Sequence, residues 1–217
     1  ASTTGHHNTA IGYTALSKNT TASNNTAIGR AVLFNNTTAT GNTGMGSEAL
    51  YANTTGSNNI GIGTNALYAN TTGVNNTGIG FEAMKSNTTA NSNVAVGYKS
   101  LYNNTTGTAN NSFGYQALHG NTTGSNNSAV GTNVLYANTT GSSNVGVGRD
   151  ALRYNTTASN NTAIGYFALQ TNTTGHANTA VGGYAGTSVT TGVANVLIGQ
   201  QAGYYGTALT TGSENVI

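Results

Sequence analysis

Large aliphatic side chains return one at a time along this chain, each set in a short string of small and polar residues. Ile11, Ile28, Met45, Ile62, Ile79, Val96, Phe113, Val130, Val147, Ile164, Val181 and Ile198 follow one another at intervals of 17 residues. Each precedes a glycine and lies three residues after an asparagine, the first being Asn8 and the last Asn195. Counted from that asparagine the unit reads N-T-(A/G)-(I/V)-G-x-x-A-L-x-x-N-T-T-(G/A)-x-N, with the aliphatic residue at the fourth position. The ninth position carries a second series, Leu16, Leu33, Leu50, Leu67, Met84, Leu101, Leu118, Leu135, Leu152 and Leu169. Large apolar residues held at two fixed places in a repeat predict two ladders turned away from water, one at position four and one at position nine.

A period of 17 residues without a slip is the mark of a solenoid. A glycine at position five of every coil and the Asn-Thr runs oppose a helix. Short β-branched segments bounded by Gly and Asn favour strands and turns. The expected fold is all-β: a parallel β-solenoid, or β-roll, of about twelve 17-residue coils, rising about 4.8 Å per coil. One repeat domain spans 1–217, with regular coils over 8–177 and divergent coils over 178–217. In the divergent part Gly186 and Gly203 replace the ninth-position Leu and Val189 replaces an Asn. The last interval, from Asn195 to Asn215, lengthens to 20 residues. These coils read as a cap, a junction or an assembly contact.

The near-invariant positions predict specific contacts. Glycine at position five calls for a positive φ or a backbone approach that no Cβ allows. The third position is small in every coil except at Leu197, which points to a close neighbour on that side. Asn holds position twelve from Asn19 to Asn172, so stacked amides are expected to bond to one another up the solenoid. The Thr-Thr pair that follows begins with Thr3-Thr4, and its two side chains should face opposite ways. Each NTT string also fits an N-glycosylation acceptor, but a buried amide ladder would exclude a glycan.

Charge is scarce, with six Lys or Arg and four Asp or Glu for a net of +2. No basic run exists to track a phosphate backbone, so nucleic acid is not an expected partner. Cysteine is absent and no apolar stretch approaches membrane-spanning length, so neither a thiolate metal site nor membrane insertion is expected. All charges of the regular coils fall at positions six, seven, ten and eleven, which are the predicted solvated faces. The arc from position twelve round to five carries none, a composition that suits an interface between chains. Histidines His6, His7, His119 and His176 read as turn residues, and the scattered acids form no catalytic pair. No catalytic, cofactor or metal site is expected, and the chain is read as something other than an enzyme. Aromatics at position ten (Phe34, Tyr51, Tyr68, Tyr102 and Tyr136) and position six (Tyr13, Tyr98, Tyr115 and Tyr166) are the candidate surface-binding residues, suited to sugars or to a neighbouring chain.

The strings NTAIG at 8–12 and 161–165, NVAVG at 93–97 and NSAVG at 127–131 resemble the strand repeats of trimeric autotransporter adhesin heads, and of related phage tail fibres. The resemblance implies three chains packed about an axis and display outside a cell, on its surface or on a virion. It also implies adhesion to glycans or host surface molecules. Self-association, as a trimer or a head-to-tail filament, is therefore the expected partnership. The alternative reading is an ice-binding solenoid with stacked Thr rows. Against it, adjacent Thr residues cannot both lie on one face of a strand.

Overall fold

The computed structural model describes residues 4–204 and 210–217. Thr3 of the first Thr pair and residues 205–209 of the lengthened last coil lie outside the described residues. The described chain is all-β, with no helix among its described residues. It divides into two compact units, 1–109 and 110–217. The first unit holds β1 (Thr9–Ile11), β2 (Thr26–Ile28), β3 (Thr43–Met45), β4 (Ile60–Ile62), β5 (Thr77–Ile79) and β6 (Val94–Val96). The second holds β7 (Asn111–Phe113), β8 (Ser128–Val130), β9 (Val145–Val147), β10 (Thr162–Ile164), β11 (Thr179–Val181) and β12 (Val196–Ile198). Within each unit consecutive strands pair parallel and in register, like position against like: Ile60 lies beside Thr77 in the first unit, and Ser128 beside Val145 in the second. This is the expected parallel β-solenoid with its 17-residue register.

The strand is only one side of the coil. At position nine the Leu33 N–H donates to the Ala49 carbonyl at 3.1 Å. At position thirteen the Thr54 N–H donates to the Thr71 carbonyl at 3.0 Å, and at position seventeen the Asn58 N–H donates to the Thr40 carbonyl at 3.0 Å. Each side of the coil is thus bonded to its neighbours, which satisfies a backbone that the thin interior could not shield.

The expected inward ladder at position four does not form. Ile11, Met45, Phe113, Val130, Val147, Ile164 and Ile198 are exposed, and the other members are half-buried. The buried strand residue is the middle one, at position three: Ala27, Ala95, Ser112, Ala129, Ala163, Ala180 and Leu197. The reason is the width of the interior. A Cβ on Gly61 would lie 3.1 Å from Leu50 Cγ, and one on Gly78 would lie 3.2 Å from Leu67 Cγ. With the ninth-position Leu already inside, the strand backs directly onto it and only Ala, Gly or Ser fits. Alternation then turns positions two and four outward.

Local exchanges of volume follow the same rule. Where position eight is Val instead of Ala, at Val32 and Val134, position three of the next coil is Gly44 or Gly146. A Cβ on either glycine would come within 2.4 Å of the valine Cγ1. Where position nine is Gly186, the buried Leu197 fills the space from position three of the next coil. A Cβ on Gly186 would meet Leu197 Cδ1 at 2.9 Å. The divergent coils therefore keep one large aliphatic inside but supply it from the strand.

The glycine corner satisfies both expectations. Position five has φ between +112° and +142° in all twelve coils. Leu or Met at position nine is also left-handed, with φ between 47° and 54°. A side chain in that conformation costs about 1–2 kcal/mol, and burial of the aliphatic group offsets it at roughly 1.5–3 kcal/mol.

The twelfth-position amides stack as expected. In the first unit Asn53 Nδ2 donates to Asn36 Oδ1 at 3.0 Å and Asn70 Nδ2 to Asn53 Oδ1 at 2.8 Å. In the second, Asn138 donates to Asn121 at 2.8 Å and Asn155 to Asn138 at 2.9 Å. A second amide ladder, which the repeat pattern did not single out, runs through position one. Asn59 N–H donates to Asn42 Oδ1 at 2.8 Å, and Asn59 Nδ2 donates to the Gly73 carbonyl at 2.8 Å. Asn70 Nδ2 reaches that same carbonyl at 3.0 Å, so one position-fifteen oxygen ties the two ladders together. These Asn side chains are buried, and each Nδ2 of the NTT strings is already hydrogen-bonded, so the folded chain has no room for a glycan there. The ladder stops at Val189, and Asn172 Oδ1 is left as a buried acceptor without a partner.

Candidate functional surfaces

Three outward surfaces remain once the interior is assigned. The first is the strand face, where positions two and four present Thr, Val and Ile side by side and no charge. The second is the Thr-Thr segment. The first Thr of each pair turns its hydroxyl into the structure: Thr54 Oγ1 donates to the Thr71 carbonyl at 3.1 Å, and Thr139 Oγ1 to the Thr156 carbonyl at 3.0 Å. The second Thr of each pair, as at Thr55, Thr72, Thr123 and Thr157, is exposed. Position fifteen between it and position sixteen is buried, so the exposed Thr shares its side with the residue two on, a Ser or Thr in most coils but Val74 after Thr72.

The third surface is the variable edge, which holds the candidate aromatics and most of the charges, but position seven, expected to face water, buries Glu82 and Asp150. Phe34, Tyr51, Tyr68, Tyr102 and Tyr136 are half-buried, whereas Tyr13, Tyr98, Tyr115 and Tyr166 are exposed, Tyr13 to 78%. In the first unit the position-ten rings stack on one another: Phe34 on Tyr51 and Tyr51 on Tyr68, each at 5.3 Å and 6°. Lys18 Nζ lies 4.9 Å over the outer face of Phe34. Both faces of Tyr51 are thereby covered. In the second unit Tyr136 stacks on His119 at 5.0 Å. Phe81 and Tyr98 stack at position six, 5.4 Å apart.

The edge charges pair locally. Arg30 bonds Glu48, while Glu82 takes Lys85 at 2.6 Å and Lys99 at 3.4 Å. Lys99 Nζ also lies over the rings of Tyr98 and Tyr102, at 5.4 and 5.3 Å. Burial pushes the Glu82 carboxyl up, but the hydrogen bonds and charges of Lys85 and Lys99 outweigh it and hold the group below the usual glutamate value. A carboxyl whose folded pKa is depressed adds stability above its unfolded pKa and loses it as pH falls through the folded one. Between about pH 7 and pH 3 the parent should therefore lose more melting temperature than Glu82→Gln. Equal losses in a calorimetric pH series would mean that the Glu82 cluster adds nothing to stability.

Among the described residues no three of His, Cys, Asp and Glu gather where they could hold a metal. His176 Nδ1 accepts the Ser159 N–H at 2.9 Å, a turn contact. The second unit holds a group that the candidate residues touch only at Tyr166. Arg149 and Arg153 bond Asp150, each at 3.1 Å, and Phe167 and Tyr184 close on Tyr166. Two adjacent coils with an aromatic at position seven, where every other coil has a small, polar or charged residue, were the signal for it in the sequence. Compared with family models, with curated proteins and with solved structures, the chain matches none.

Proposed function

We propose that this chain is a structural segment of a fibre or filament, not an enzyme, and that its strand face packs against the same face of further copies. One observation carries the reading: β-branched and aliphatic side chains that a solenoid would bury stand outward in an uncharged sheet, in each unit, coil after coil. Contiguous exposed apolar surface of this kind marks contact sites. A second copy is the fitting occupant, because a face that repeats every coil meets its own repeat in register and brings no like charges together. The resemblance to adhesin heads and tail fibres supports display outside a cell, on its surface or on a virion. The exposed aromatics Tyr13, Tyr98, Tyr115 and Tyr166 would then meet surface glycans or host molecules.

The ice-binding alternative gains one specific support. The second Thr of each pair bonds its neighbours through the backbone and leaves its hydroxyl to the outside, yet it is Thr in every coil, while the neighbours at positions sixteen and seventeen vary. A row of free hydroxyls and methyls on an uncharged face suits ordered water, and the earlier objection lapses because only one Thr of each pair is needed.

Paired variants separate the two readings. Val130→Lys with Ile164→Lys charges the strand face two coils apart, about 10 Å, far enough for salt to screen the pair. This variant should sediment as the 21.8 kDa monomer while the parent sediments as a larger species. Thr123→Lys with Thr157→Lys charges only the hydroxyl row and should assemble like the parent. A monomeric parent at about 100 μM, or a strand-face variant that still assembles, would overturn the fibre reading. Thermal hysteresis in the parent that is lost only in the hydroxyl-row variant would favour ice.

A further inference from the structure

Position seven is left-handed in every coil from Thr14 to Gln201. Ten of its residues are small, polar or charged, but Phe167 and Tyr184 hold it at φ 59° with a bulky ring. For such residues this conformation is an outlier, and strain kept at two adjacent coils points to use. Their rings do not join a parallel stack. Phe167 lies 4.0 Å from Tyr166 at 40°, and Tyr184 meets Tyr166 edge-on at 5.3 Å and 78°. Tyr184 also meets Phe167 at 5.4 Å and 65°, and Tyr204 edge-on at 5.9 Å and 88°. The edge-on contacts of Tyr184 leave ring face open that a parallel stack would cover. The phenol of Tyr184 is pushed up by burial and then by the charge and hydrogen bond of Tyr166, which ties the two rings together.

Two further features adjoin these rings. Position six of the next coil is Gly183, where a Cβ would meet nothing within 4 Å, so the surface beside Tyr166 and Tyr184 is vacant. On the other side Arg149, with its side chain 62% exposed, lies over Tyr166 at 5.9 Å. Its Nε donates to Asp150, which leaves both Nη groups for a ligand. Arg153 donates Nη1 to Asp150, and its buried Nε has no partner. Two guanidinium groups against one carboxylate leave the patch positive.

We propose that this patch binds an acidic saccharide, a chain of uronate residues. One pyranose lies over Gly183 with its C–H face against Tyr166 and Tyr184, and a neighbouring carboxylate pairs with the Nη groups of Arg149. Gly183 and Arg149 are two coils apart, about 10 Å, so the ligand has at least two sugar residues along the stacking direction. Binding does not depend on packing between chains, and sedimentation of the same samples reports that separately.

The test uses the full chain with a tetragalacturonate and its methyl ester, followed by calorimetric titration and melting. The acid should bind with a Kd at or below about 1 mM, and at least about tenfold more tightly than the ester. Arg149→Gln should weaken it by the same factor. Gly183→Thr fills the vacant surface, so it should abolish binding without lowering the melting temperature. Tyr184→Asn places a residue suited to the left-handed backbone and should raise melting while losing the ligand. No binding of the acid up to about 10 mM, equal binding of the ester, or parent-like binding by Arg149→Gln would each overturn the proposal.

Discussion

Gly80→Ala should lower the melting temperature by about 10 °C or more, although it adds a single methyl group. Gly80 has φ +133°, a conformation that an L side chain rarely adopts, and strain of that kind costs on the order of 1–3 kcal/mol. The larger part comes from the neighbour. The new Cβ would lie 2.4 Å from the Gly97 carbonyl oxygen and 2.7 Å from its carbon, both of them backbone atoms with no side-chain freedom to give way. Relief requires the two coils to separate at this corner, which pulls on the 2.8 Å bond from the Gly97 N–H to the Ile79 carbonyl and on the amide ladders behind it. The sum is about 4 kcal/mol or more, in the range reserved for the most disruptive single changes. Gly183→Ala is the matched control, since a Cβ there meets no atom within 4 Å and the backbone is not left-handed. If the two variants melt within about 2 °C of each other, the close stacking of glycine corners is not what holds the coils together.

Asn70→Ala is the second large effect expected, at about 3–5 kcal/mol. Asn70 donates to Asn53 Oδ1 at 2.8 Å and to the Gly73 carbonyl at 3.0 Å, and it accepts from Asn87 Nδ2 at 2.8 Å. Alanine deletes all three bonds, leaves the Asn53 oxygen buried and unpaired, and opens a cavity at a fully buried site. Each orphaned buried group costs about 1–3 kcal/mol, and the void adds to it. The chain contains its own comparison at Val189, where the ladder ends and Asn172 Oδ1 has no partner. Val189→Asn restores the donor and should raise stability by up to about 1 kcal/mol. Melting curves for the two variants should therefore move in opposite directions. If Asn70→Ala melts like the parent, the buried amides are filler and not a bonded ladder.

The candidate surfaces were legible only in part. Tyr13, Tyr98, Tyr115 and Tyr166 lie on the variable edge where the charges of the repeat place them, because a position that tolerates Arg in one coil faces water in all of them. That rule could not say how the rings meet. Phe34, Tyr51 and Tyr68 cover one another's faces, whereas Tyr184 meets Tyr166 and Phe167 edge-on beside a vacant Gly183. The difference comes from two aromatics moved to position seven and one side chain missing at position six.

Sequence by itself determined the period, the parallel register, the glycine corners and the twelfth-position amide ladder. In a solenoid each residue touches its own equivalents in the coils on either side, so identity at a fixed interval is already a statement about contact. Only tertiary structure decided which way the strand faces. By hydrophobicity Ile28 should be inside and Ala27 outside, but a three-residue strand carries too short an alternation to enforce this. The interior is filled from the opposite side by Leu33 and its equivalents, held in by their left-handed backbone. The gap left in front of them admits only Ala, Gly or Ser, or a Leu where Gly186 gives up its place, so the larger aliphatics turn outward.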